Sequence, residues 1–393
     1  MKLLRAIVSA ALCLLLPALA LALAGPMHSG KIKPVVRLAD SQAQERHFRS
    51  MGYKVRGGVD KSRSDRDERE ARSFPHFSSS FTVAGQTYPY TMVGYQPRSG
   101  RATRMRTVII PLRMNFNLFG DNGDVSQTFD PAAAVTNIVS SPLYKPALYA
   151  NGYGQFVDQM QRATFWNKMD PGRNWHVYME APKVLPPIDI YVTPETGVLY
   201  TDSVGNFFGD VLIDFMDSQA QTILQLLDLD ADVLPIFVTG EVTAEALGYH
   251  TAFELPLNHS GTRLQTYIYT SWLDPALVSP LFADVSTFNH ELSEWTNDPF
   301  VNNIVPTWAY PPASDPSSIC SGNPFLETGD PQGNGPTYND FPTATITLAG
   351  VTYHLQQLVM LPWFADEVPS SAFAGAYSFP VLGSITQPAV YCQ

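Results

Sequence analysis

The alternation of short apolar runs with amphipathic stretches constrains the fold of this chain more than any other feature. Residues 107–112, 234–238 and 264–272 are rich in apolar, β-branched and aromatic residues, a composition typical of buried strands. Between them, residues 155–166 and 206–227 carry apolar residues at helical spacing. Strands that alternate with helices predict a layered α/β body, with an α+β arrangement as the alternative.

Shorter signals add detail to this body. Residues 79–88 predict a hairpin that turns at Gly85, and residues 188–192 predict a strand. Asp130 and Pro131 predict the N-cap and first position of a helix that continues through residue 138. The spacing of Asp228, Asp230 and Asp232 resembles part of a calcium loop, but Val233 and Thr239 replace the required glycine and glutamate. We therefore interpret the three aspartates as a polar helix end.

The N-terminus has the pattern of a secretory signal peptide over residues 1–24. Lys2 and Arg5 precede an apolar run over residues 6–23, and residues 22–24 form an A-x-A cleavage site. The run is also just long enough for an uncleaved membrane anchor, but Pro17 and the small residues at its end favour cleavage. We expect export, with a mature start at Gly25 and no membrane association afterwards.

Charge divides the rest of the chain near residue 75. Residues 25–75 contain 12 Lys and Arg against 7 Asp and Glu, a net charge of +5. Residues 76–393 contain 11 against 29, a net charge of −18. The first segment is predicted to be a charged linker or a cleavable pro-segment, and the second to be the folded domain. Such an acidic domain repels phosphate backbones, so we expect no nucleic-acid partner.

Two cysteines, Cys320 and Cys392, remain after signal cleavage. In an oxidising compartment two such residues usually pair, which predicts a disulfide between the C-terminal tail and the loop around Cys320. Two free thiols are the alternative. A single bridge in a chain of this length means that stability must come from the hydrophobic core.

The clearest chemical motif lies at residues 288–299, with the sequence F-N-H-E-L-S-E-W-T-N-D-P. Residues 283–297 are predicted to be helical, and Asp298 before Pro299 ends the helix. His290 and Glu294 are four residues apart, so both side chains can reach one metal ion. Glu291 sits beside His290, where it can face a water on the same ion. This is the geometry of H-E-x-x-H zinc hydrolases, with Glu294 in place of the second histidine.

A third ligand has to come from another part of the chain. Glu327 and Asp330 are the best candidates, because their loop can return over the helix, and His354 and Asp298 are held in reserve. Imidazole together with carboxylate suits Zn²⁺, while the extra carboxylate makes Mn²⁺ or Ca²⁺ more competitive. If no metal binds, His290 and Glu294 form an ordinary ion pair on one helix face.

The H-E-L-S-E segment, the T-N-D-P string after it and the E-T-G-D string near Cys320 resemble a group of secreted bacterial zincin-like proteins. Plant phosphate-induced (Exordium-like) proteins carry a related H-E-L-A-E segment. The resemblance covers patches between residues 140 and 360. It implies a zincin-like layered body with a mixed sheet and an active-site helix. It also implies a metallopeptidase-like site with His290, Glu294 and Glu327 as ligands and Glu291 as general base.

The sequence therefore predicts a secreted metal-dependent hydrolase, most simply a zinc peptidase acting on a peptide or protein. Tyr310, Tyr338 and His354 are candidates for a further donor to the substrate oxygen. One alternative is a non-catalytic extracellular or wall-associated binding protein with a degenerate or structural metal site. Another is a glycosidase, because the spacing of paired carboxylates cannot be seen in sequence.

Overall fold

The computed structural model describes residues 35–37, 74–118 except 84, 124–256 except 167 and 169–173, 262–306 except 281, 308–309, 325–329, 343–359, 362–364, 378–380 and 390–391. The helices are α1 (Ala132–Ser140), α2 (Phe156–Thr164), α3 (Ile213–Leu227) and α4 (Ser286–Asn297), and 3₁₀ helices cover Pro97–Ser99 and Pro362–Phe364.

The strands, numbered in chain order, are β1 (Val35–Arg37), β2 (His76–Val83), β3 (Gln86–Val93), β4 (Ala102–Leu118), β5 (Val125–Phe129), β6 (Ala147–Tyr149), β7 (Gly152–Gly154), β8 (His176–Met179), β9 (Lys183–Val184), β10 (Ile188–Val192), β11 (Gly197–Thr201), β12 (Phe207–Val211), β13 (Val233–Gly240), β14 (Val242–Thr243), β15 (Gly248–Pro256), β16 (Thr262–Trp272), β17 (Trp308–Ala309), β18 (Ala344–Leu348), β19 (Val351–Leu355), β20 (Leu358–Val359), β21 (Ser378–Phe379) and β22 (Val390–Tyr391).

A mixed sheet organises the molecule, with the strand order β10-β4-β13-β16-β15 along its main path. The first four of these strands are parallel, and β15 runs antiparallel to β16 at one end of the order. The 17-residue β4 is long enough to pair also with β5, β8 and β9. Its central residues are buried, as expected for a strand that is covered on both faces.

Alternate residues of the central strands enter two separate hydrophobic cores. Ile109, Ile236 and Ile268 pack with the apolar residues of α1, α2 and α4 on one face. Their neighbours Val108, Phe237 and Tyr267 pack with α3 on the other face. Because strand side chains alternate between the two faces of a sheet, this separation places the sheet between two helical layers. The predicted α/β class is confirmed at this level, as a mixed α/β body with a curled mixed sheet.

A smaller sheet has the order β1-β11-β12-β14 and includes part of the charged N-terminal segment. Val35–Arg37 pair in parallel with Leu199–Thr201 of β11. These three residues therefore contact the body of the protein, whichever of the two interpretations of residues 25–75 applies.

Most of the predicted elements agree with the structure, and two are wrong in part. The hairpin is present as β2 and β3, and α4 ends at Asn297, just before Asp298. Residues 207–211, predicted to begin a long helix, instead form β12 and pair with β11. The apolar spacing of the segment fits both structures, and pairing with a neighbouring strand decides between them. The predicted N-cap Asp130 and first position Pro131 are each displaced by one residue, because α1 begins at Ala132 with Pro131 at the N-cap. Asp130 Oδ1 still accepts a hydrogen bond from the Ala132 amide at 2.9 Å.

Within the described residues, no helix is both long and apolar enough to cross a membrane. The signal segment at residues 1–24, Cys320 and Cys392 lie outside the described residues, so export and the disulfide remain predictions.

Candidate metal centre

Helix α4 holds the central part of the site and is buried along its entire length. It packs on β15 and β16, the last two strands in the order of the main sheet. At its C-terminal end the Asp298 carboxylate accepts the backbone amides of Asn302 (2.9 Å) and Asn303 (3.1 Å). Asp298 therefore fixes the turn that leaves the helix. Its carboxylate serves a structural purpose, so this reserve ligand is engaged elsewhere.

His290 and Glu294 meet on one face of α4, as their spacing predicts. The distance from His290 Nε2 to Glu294 Oε2 is 2.9 Å, and the two side chains are at most 4 % exposed. Two ligands of a tetrahedral zinc ion, with bonds of about 2.0–2.1 Å, lie about 3.3 Å apart. A metal ion would therefore fit after these two atoms separate by only a few tenths of an ångström.

Gln356 determines which nitrogen of His290 faces Glu294. Gln356 Nε2 donates to the Gly329 carbonyl at 3.1 Å, which leaves Gln356 Oε1 facing His290 Nδ1 at 2.7 Å. An amide oxygen can only accept, so His290 Nδ1 carries the proton. His290 Nε2 then points at Glu294 in one of two states. It offers a lone pair to a cation, or it is the N–H of an imidazolium in an ion pair.

The segment 327–329 closes the other side of this pair. The Gly329 amide donates to Glu294 Oε1 at 3.0 Å, which leaves Glu294 Oε2 for His290. A Cβ atom on Gly329 would lie 2.4 Å from His290 Nδ1, so only glycine allows the backbone to approach the ring this closely. The predicted ligand Glu327 is two residues away and is 3 % exposed.

The structure adds a residue that the sequence did not reveal, His250 on the end strand β15. Its Nδ1 atom lies 3.4 Å from Glu291 Oε2 and 3.9 Å from Glu294 Oε2. The strand comes this close to α4 because Gly248 has no side chain; a Cβ there would lie 2.8 Å from Glu291 and from Thr287. No local spacing connects a histidine on a strand with a helix that begins 36 residues later, so the motif alone could not identify it.

The five side chains form two overlapping groups of possible metal ligands. His290, Glu291 and Glu294 form one group, and His250, Glu294 and Glu327 form the other. Within each group one donor atom from every residue lies within 4.8 Å of the others, and each of the five residues is at most 3 % exposed. Buried histidine and glutamate side chains that could hold a metal ion are thus present around the motif. Neither group contains both His290 and Glu327, so the predicted set of His290, Glu294 and Glu327 is brought together only in part, and Glu327 joins Glu294 and His250 instead.

The ionisation of the site is set by burial and by these contacts. Burial raises the pKa of Glu294, but His290, His250 and the Gly329 amide outweigh it and hold the pKa below its usual value. Burial is the main cause that lowers the pKa of His250 to about 4. The Glu294 charge and the Asp298 backbone oppose this shift, and the nearby His290 adds to it. His250 is therefore neutral at neutral pH, the form in which imidazole binds metals.

The remaining predicted residues divide into two sets. His354 is described, but its Nδ1 atom lies 2.6 Å from Asp284 Oδ2, and its backbone amide also donates to Asp284. Asp330, Tyr310 and Tyr338 lie outside the described residues, so their predicted roles stay predictions.

Comparisons with profiles of known protein families, with curated protein sequences and with solved structures find no match to this chain.

Proposed function

We propose that this chain is a secreted, metal-dependent hydrolase of the zinc-peptidase type, with a zincin-like body. The observation that carries the proposal is the orientation of His290, whose Nε2 atom faces Glu294 because Gln356 occupies Nδ1. A histidine held through one nitrogen by an outer partner, with the other directed at a carboxylate, has the arrangement of a metal ligand. The resemblance of the H-E-L-S-E segment to zincin-like proteins supports the same interpretation.

The arrangement of elements supports the layered part of this proposal. Helix α4 follows β16, the neighbour of the antiparallel end strand β15, and it packs on both strands. A mixed sheet with a ligand-bearing helix packed on it is in keeping with the zincin-like body that the resemblance implies.

In the proposed site, His290 and Glu294 hold the ion from helix α4. Glu327, which groups with Glu294 and His250, is the third ligand that the resemblance implies. Zinc suits this mixture of imidazole and carboxylate, and Mn²⁺ or Ca²⁺ are the other ions that its oxygen donors allow. When bound, the ion supplies Lewis-acid chemistry and lowers the pKa of a water.

Glu291 is the proposed general base, adjacent to His290 in sequence and 3.4 Å from His250 Nδ1 through its Oε2 atom. Its carboxylate takes a proton from the attacking water and returns it to the leaving amine of a peptide substrate. His250 fixes the position of that carboxylate. The net charge of −18 over residues 76–393 disfavours nucleic acid as a substrate.

A second candidate is a non-catalytic extracellular protein that uses the same residues to hold a structural ion. The burial of all five side chains favours it, because structural zinc sites are enclosed by four protein ligands, whereas catalytic sites keep an open position. His250 would be the fourth ligand in that case.

Two measurements on the purified mature chain test the proposal. Metal analysis is expected to find bound Zn²⁺ or another divalent ion, and an apo protein that is indifferent to added metal would contradict metal binding. Casein or peptide cleavage is expected to fall about 10²- to 10⁴-fold in Glu291→Gln, the usual contribution of a general base. Bound metal without cleavage in the wild type would reject the peptidase and leave the structural role.

A further inference from the structure

The number of converging ligands exceeds what one metal ion uses. Five side chains meet at this site, namely His250, His290, Glu291, Glu294 and Glu327. A catalytic zinc ion takes three protein ligands and a closed structural ion takes four. Two ions that share one carboxylate use all five side chains, because each ion then has three ligands and one of them is common to both.

The positions of these ligands match such a shared arrangement. Glu294 belongs to both groups of three, while His290 and Glu291 belong to one group and His250 and Glu327 to the other. Glu294 Oε2 is 2.9 Å from His290 Nε2 and 3.9 Å from His250 Nδ1, so a single oxygen faces both imidazoles. The two imidazoles come from different elements, α4 and β15, and approach this carboxylate separately.

We infer that the site holds two divalent cations bridged by Glu294, one on His290 and Glu291 and the other on His250 and Glu327. The inference rests on the proposed metal-dependent function and deepens it. It reassigns Glu291 from general base to ligand and Glu327 to the second ion. Two-metal hydrolase sites have ions about 3.5–4 Å apart. Zn²⁺ and Mn²⁺ are the ions that suit a mixture of imidazole and carboxylate donors.

Charge balance within the five residues agrees with a second ion. Three carboxylates carry three negative charges, and one divalent ion offsets two of them. The net charge of the three carboxylates and the bound metal is −1 with one divalent ion and +1 with two. One hydroxide can neutralise the latter. Paired and compensated charges are the form in which charge is tolerated in a protein interior.

The test counts metal ions in the full chain after removal of metal with a chelator and reloading with ZnCl₂ or MnCl₂. Elemental analysis of the dialysed protein is expected to give two ions per chain. Glu291→Gln and His250→Gln are each expected to lower the count to one. The matched control is His176→Gln, which changes a partly exposed histidine paired with Asp158, and it should keep both ions.

Electron paramagnetic resonance of the manganese form gives a second reading that requires no variant. Two Mn²⁺ ions bridged by a carboxylate are expected to show exchange coupling, in contrast to the six-line spectrum of isolated Mn²⁺. One ion per chain, with Glu291→Gln retaining it and an uncoupled spectrum, would overturn the inference while leaving the proposed hydrolase intact. Two ions that both survive Glu291→Gln would overturn the ligand assignment. A chain that binds none would reject the proposed function as well.

Discussion

At the scale of single residues, the candidate centre depends on outer partners as much as on the ligands themselves. Gln356 contacts both His290 and Gly329, so one amide orients the imidazole and holds the segment that carries Glu327. The backbone amide of Gln356 in turn donates to Asn289 Oδ1 on helix α4. The orientation of His290 is therefore set by a residue 66 positions away in the chain.

Replacing Gln356 should weaken metal binding without removing any ligand. Gln356→Leu is expected to reduce zinc affinity about 10- to 100-fold, the usual effect of losing the outer partner of a ligating histidine. Titration against a competing chelator measures the change. Gln127→Leu, on the distant strand β5, is the control and should bind zinc like the wild type. Equal affinities for all three proteins would contradict the role given to Gln356.

Glu241 predicts a pH dependence of folding stability that does not involve metal binding. Burial raises its pKa to about 7; the Asp274 charge also raises it, while the Asp274 amide lowers it. Between about pH 4.5 and 7 the folded protein then binds more protons at this residue than the unfolded chain. Stability should therefore fall as pH rises through this range and level off above it.

Glu241→Gln should remove this pH dependence, because the glutamine side chain does not ionise. Its carbonyl oxygen can still accept the hydrogen bond from the Asp274 backbone amide, which lies 2.7 Å from Glu241 Oε1. At pH 8 we expect the variant to be more stable than the wild type by about 1–3 kcal/mol, with little difference at pH 4.5. Urea unfolding at the two pH values measures this difference. Glu254→Gln, at an exposed glutamate, is the matched control. An unchanged pH dependence in Glu241→Gln would contradict the raised pKa.

The sequence could reveal only those site residues that are close together in the chain. His290, Glu291 and Glu294 share one helical turn, so helix geometry alone relates them. His250 lies on β15, before that segment in sequence, and Gln356 lies just after β19, beyond it. Only sheet pairing and helix packing bring them to the helix. Spacing rules carry no information about such contacts.

At the scale of elements, the site is a junction of α4, the strand β15 and the segment 327–329. Both non-helical elements reach the helix through a glycine, Gly248 in one case and Gly329 in the other. Their missing side chains allow backbone to lie directly against Glu291 and His290. The junction is therefore sensitive to an added methyl group.

Gly329→Ala should disturb the site because its Cβ would lie 2.4 Å from His290 Nδ1. We expect at least a tenfold loss of metal affinity and a loss of about 1–3 kcal/mol in stability, the usual cost of overpacking. Gly240→Ala is the control, since its Cβ would meet its nearest neighbour, the Asp130 carbonyl oxygen, at an ordinary 3.4 Å. Calorimetric zinc titration and thermal unfolding of both variants measure the two effects. Normal zinc binding by Gly329→Ala would contradict this tight contact.

Helices and strands could be predicted where the residue pattern fits only one kind of secondary structure. They could not be predicted where the pattern fits both. The proline after Asp298 and the helical spacing before it are compatible with α4 and with little else. Residues 207–227 carry apolar residues that fit a long helix, but 207–211 pair with β11 to form β12. Which structure forms there depends on a partner strand that the local sequence does not specify.

At the scale of the whole molecule, the sheet separates two cores and places the candidate centre in only one of them. The α4 face carries His290 and Glu294, while the α3 face is a core of large apolar and tyrosine side chains. The mixed α/β class could be predicted from alternating strands and helices. The order of the strands could not, because many orders share the same sequence pattern.

Both charged regions of the sequence contribute to the structure. Val35–Arg37, from the positively charged segment, form a strand beside β11 of the acidic body. Three of the carboxylates in that body, those of Glu291, Glu294 and Glu327, lie in the candidate centre. Part of the acidity of the domain is thus concentrated where a cation would bind.

The most direct test of the central claim is a crystal structure of the zinc-loaded protein with data collected at the zinc absorption edge. We predict an anomalous difference peak about 2.0–2.2 Å from His290 Nε2 and Glu294 Oε2, with these two atoms farther apart than their present 2.9 Å. A map without a peak at this position, with His290 and Glu294 still in direct contact at 2.9 Å, would show an ordinary helix ion pair and contradict the metal centre.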